Sequence, residues 1–63
     1  MFKKYEALSE AYDTMFRFAN ESFCKMLEAE TAEDIIIHDA QYEAFKKAAA
    51  AIHDQIMEVL NQL

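Results

Sequence analysis

The sequence predicts an all-α fold. Two long helices form an antiparallel hairpin, with a short helical turn between them as one option, and two hairpins pair into a homodimeric four-helix bundle. Three observations carry this reading. Glycine and proline are both absent from the 63 residues, so the usual residues of tight turns and helix breaks are missing. Apolar residues recur at alternating three- and four-residue spacing along two long stretches, which is the mark of an amphipathic helix or coiled-coil seam. Between the stretches lie five acids, Glu28, Glu30, Glu33, Asp34 and Asp39, with no lysine or arginine among them. The only strand-like run, Ile35-Ile36-Ile37, is too short to build a sheet.

The first helix is read from about residue 2 to 29. Its seam is Leu8, Tyr12, Met15, Ala19, Phe23 and Met26, preceded by Tyr5, and Phe16 and Leu27 widen it on one side. At ~100° per residue the stripe spans roughly 120° to 140° of the helical wheel. Glu6, Glu10, Asp13, Arg17, Glu21 and Glu28 take the opposite face.

The last helix carries Tyr42, Phe45, Ala48, Ala49, Ile52, Ile56, Val59, Leu60 and Leu63 on its stripe. Extended backwards, the same phase turns Ile36 and Ile37 outward and His38 and Gln41 inward. A phase break near 38–39 resolves the conflict, with Asp39 as N-cap and a short turn or single helical turn over about 32–37. The last helix then runs from about 39 to 62. The alternative is one unbroken helix from about 32, capped by Thr31 with Glu33 and Asp34 in its first turn.

Charge supports folding the chain back on itself. The acids between 28 and 39 sit at the positive dipole end of the last helix. Lys3 and Lys4, unfavourable at the start of the first helix, lie beside the carbonyl end of the last one in a hairpin. A turn centred near residue 34 sets Ala19 opposite Ala49, Phe16 opposite Ile52, and Phe23 opposite Phe45. The run Ala48–Ala51 is then explained. Ala48 and Ala49 let the helices approach closely, while Ala50 and Ala51 are surface helix formers.

A chain of this size buries little surface and needs a staple. One cysteine, Cys24, makes no disulfide; it reads as a small buried hydrophobe in a reducing compartment. Two helices with one wide stripe each leave one side wet, so a second copy is the economical staple. No apolar segment follows the basic pair of "MFKKYEALSE", and no stretch approaches the ~18 apolar residues of a membrane span. The expectation is a single cytoplasmic domain over residues 1–63, off the membrane.

Catalytic and metal constellations are missing from the pattern. There is no H-E-x-x-H, Cys-x-x-Cys or glycine-rich phosphate loop. Neither histidine follows a glutamate at the Glu-x-x-His spacing of bundle di-metal sites, and no EF-hand loop is present. The chain is read as non-enzymatic and without a cofactor. Twelve acids against six bases give a net charge of -6, which disfavours nucleic acid and anionic lipid as partners and favours a protein with a basic surface. Phe18 lies about 120° from the centre of the first stripe, in line with Lys25. Together with Glu28, Glu30, Glu33 and Asp34 it forms the expected partner-binding set.

The chain length, the turn near 30 and the seam at 8, 12, 15, 19, 22 and 26 resemble the plasmid RNA one modulator (Rop) family. The resemblance covers architecture along most of the chain, with almost no residue identity. It implies a dimer of helical hairpins that binds paired RNA loops through lysines around a phenylalanine on the first helix. Lys3, Phe18 and Lys25 match that face, and Glu10 and Glu21 sit within it.

Overall fold

Residues 2–28 contain no glycine or proline to break a helix. In the computed structural model, which describes residues 2–62 (Phe2 by its backbone only), they form α1 over Phe2–Glu28. Thr14 is the one β-branched residue in α1. Its Oγ1 donates to the Glu10 carbonyl at 2.9 Å, an internal bond that satisfies the hydroxyl within the helix. The helix closes on a tightened last turn, with the Ala29 N–H donating to the Met26 carbonyl. Lys25 in that turn faces the carbonyl end of the dipole.

The connection is only Ala29, Glu30 and Thr31, and no residue in the described chain has positive φ. Thr31 stops the reversal. Its backbone is extended (φ -120, ψ 151) and its side chain accepts from the Asp34 N–H at 3.1 Å. That bond satisfies one of the donors that every helix start leaves free. Glu33 and Asp34 add negative charge in the first turn.

From there α2 runs unbroken over Ala32–Asn61. The alternative of a continuous second helix is therefore the one realised, and no break or cap occurs at Asp39. Unbroken backbone hydrogen bonding outweighs the exposure of three isoleucines: Ile35, Ile36 and Ile37 all remain exposed. His38, turned inward by this phase, is half-buried, and its Nδ1 shares a hydrogen bond of 3.0 Å with Gln41 Oε1. Leu63, expected on the α2 stripe, lies outside the described residues.

The two helices pack along their length as an antiparallel hairpin. Cross-helix aromatic contacts fix the register: Tyr12 with His53 at 6.1 Å, Phe18 with Phe45 at 5.4 Å, and Phe23 with Tyr42 at 5.5 Å. These pairs centre the reversal near residue 32 rather than 34. Phe45 thus meets Phe18, not Phe23. The shift follows from the cap, because Thr31 starts α2 well before Asp39.

Small residues mark the contact line. Among the described residues Ala19, Ala49 and Val59 are the buried apolar ones, Ser22 is buried as well, and no large side chain is fully buried. Ala48 is half-buried, while Ala50 and Ala51 are exposed, as the alanine run predicts. Cys24 is exposed, which corrects its reading as a buried hydrophobe. The Cα positions extend 48 × 14 × 10 Å, so the hairpin is a single layer of two helices.

Candidate functional site: two faces and an acidic turn

Helical phase distributes the aromatic residues over two edges of this layer. Two residues advance the helix by ~200°, so Phe16 and Phe18 point about 160° apart. On the Phe16 edge, Tyr12 stacks on Phe16 at 6.1 Å within α1 and reaches His53 of α2. Phe23 meets Tyr42, and Lys46 Nζ lies 5.3 Å from the Tyr42 ring centre, a cation–π distance. These side chains border a groove of about 490 Å³ along the seam. Its floor includes Ala19 and Ala49, and its rim includes Asn20, Ala50 and Asp54. Beyond the groove the same edge presents Leu27, which is 70% exposed, together with Met57 and Leu60.

On the other edge, Phe18 packs against Phe45 and stays 40% exposed. The expected seam residues therefore divide. Ala19 and Ala49 are buried. Leu8, Tyr12, Met15, Met26, Phe45, Ile52 and Ile56 are half-buried. Phe16 and Phe23, at 52% and 40% exposure, stand on the rim.

The expected partner-binding set is partly gathered in space. Lys25, Glu28, Glu30 and Asp34 line one hollow at the turn, together with Ala29, Thr31 and His38. Glu33 and Phe18 do not line it. His38 is the member that composition alone did not select; the inward phase of an unbroken α2 is what brings it there. Among the described residues no group of three or more His, Cys, Asp or Glu side chains is placed to hold a metal ion. No helix of the described chain is long and apolar enough to cross a membrane.

Comparison of the chain with protein-family models, with curated proteins and with solved structures gives no match. The functional reading therefore rests on the chain's own surface.

Proposed function

We propose that this chain is a small, acidic, non-enzymatic helical protein of the cytoplasm that self-associates into a four-helix bundle and regulates or inhibits a partner protein. The partner carries a basic surface of the kind that binds nucleic acid. The observation that supports this most is the turn. Glu28, Glu30 and Asp34 outnumber the one lysine, Lys25, in a single exposed hollow at the end of a chain of net charge -6. Such an anionic tip resembles a short stretch of phosphate backbone in charge, and it steers encounter with a cationic surface.

The test is capture of basic proteins on the immobilised full-length chain, followed by competition. A captured protein should be displaced by double-stranded DNA, and the triple reversal Glu28→Lys, Glu30→Lys, Glu33→Lys should slow its association by about tenfold or more at low salt. Capture that DNA does not compete, or that survives charge reversal, sinks this reading. A gel shift with paired RNA loops that collapses as salt rises would instead support the Rop-like alternative. No binding by a chain that still self-associates would leave a purely structural subunit.

A further inference from the structure

We infer that the edge bearing Tyr12, Phe16 and Phe23 is the surface on which a second copy of this chain docks. The inference deepens the self-association in the reading above, and it names a face for it.

Four observations carry it. First, the hairpin is incomplete as a fold. Stable domains pack at least two layers around a core, and this one is a single layer without a fully buried large side chain among its described residues. Its Cα radius of gyration is 14.6 Å, against about 11 Å for a compact domain of this length.

Second, the surplus surface has the size of one interface. The chain exposes 4943 Å². A compact monomer of 7.3 kDa exposes about 4,200 Å². The difference of about 700 Å² is close to the ~800 Å² that each partner buries in a standard interface.

Third, much of the surplus is apolar and gathers on one edge. Phe16, Phe23, Leu27, Met57 and Leu60 are all exposed, and at ~100° per residue they fall on the groove edge of their helices. Phe18, with Phe45 beneath it, and Ile37 are on the far edge, and Ile36 points outward.

Fourth, charge permits self-pairing on this face. Two chains of net charge -6 repel across most of their surface. Of the groove-lining residues, the formally charged ones are Lys46 and Asp54, which cancel. A second acidic chain meets no net charge in this groove, whereas a basic partner gains nothing from it.

The experiment places the photo-cross-linker p-benzoylphenylalanine at position 16 or 18 of the full chain, which keeps an aromatic ring at each site. Sedimentation equilibrium at tens of micromolar accompanies it. The expected result is twice the 7.3 kDa chain mass, a chain-to-chain cross-link from position 16, and none from position 18. The variant Phe16→Glu should sediment at the single-chain mass under the same conditions. A single-chain mass for the parent, with no cross-link from position 16, overturns the inference, and so does any chain-to-chain cross-link from position 18. The partner reading fails separately. A dimer cross-linked through position 16 that captures no basic protein removes the partner and keeps this face. A monomer that captures one does the reverse.

Discussion

At the scale of the residue, neighbours in sequence have opposite fates, and that makes them informative. Ala49 is buried and Ala51 is exposed. Ala49→Leu forces extra volume between two backbones and should destabilise by roughly 1 to 3 kcal/mol. Ala51→Leu should stay within about 0.5 kcal/mol of the parent, both read from urea unfolding. Phe18 is the second case. Its ring touches Phe45, and such a pair contributes about 0.5–1.5 kcal/mol beyond area. Phe18→Ala should lower stability by about that amount or somewhat more, leave the sedimentation mass unchanged, and weaken partner capture. A halved mass would move Phe18 into the interface between copies. Cys24 supplies a third test. Being exposed and away from the groove, it should react with a maleimide as fast in the folded chain as in the unfolded one. Strong protection would show that the proposed second copy wraps further round α1 than the groove edge.

At the scale of the element, α2 starts at the threonine and not at the aspartate. Thr31 caps Asp34, while Asp39 is an exposed residue inside the helix. Thr31→Ala should therefore cost about 1 kcal/mol, and Asp39→Ala should cost almost nothing. Equal losses in thermal melts would put a second helix start back at 39. α1 was legible in full, because its seam keeps one phase from Leu8 to Met26. The span of α2 was harder to read, since Ile36 and Ile37 point away from the stripe that Phe45 and Ile52 define. Pattern reading treats outward isoleucines as a break. The backbone keeps its hydrogen bonds and leaves the isoleucines exposed. That choice also moved the register by a few residues, so the pair Phe18–Phe45 and the place of His38 beside the acids were not legible. The split of the seam into a buried line and an aromatic rim was hidden for a related reason. A stripe on one helix does not say which of its edges the other helix covers.

At the scale of the whole molecule, the proposed assembly of two hairpins would be linked to folding, so thermal stability should depend on protein concentration. The midpoint should rise as concentration goes from micromolar to hundreds of micromolar; a constant midpoint would mark a hairpin that stands alone. The connection between the helices has a further consequence. Ala29, Glu30 and Thr31 contain no glycine, and no described residue needs positive φ, so nothing in the backbone forbids these three from turning helical. Only the threonine cap and the packing of α1 on α2 hold the bend. Straightened, the chain becomes a single rod of about 90 Å, where the folded hairpin spans 48 Å. Two such rods can lie antiparallel and make the same helix-to-helix contacts between chains that one hairpin makes within itself. The fold thus contains a route to exchange of helices between molecules. Replacing Ala29-Glu30-Thr31 by three alanines should open that route, giving a particle about twice as long by small-angle X-ray scattering with helicity undiminished.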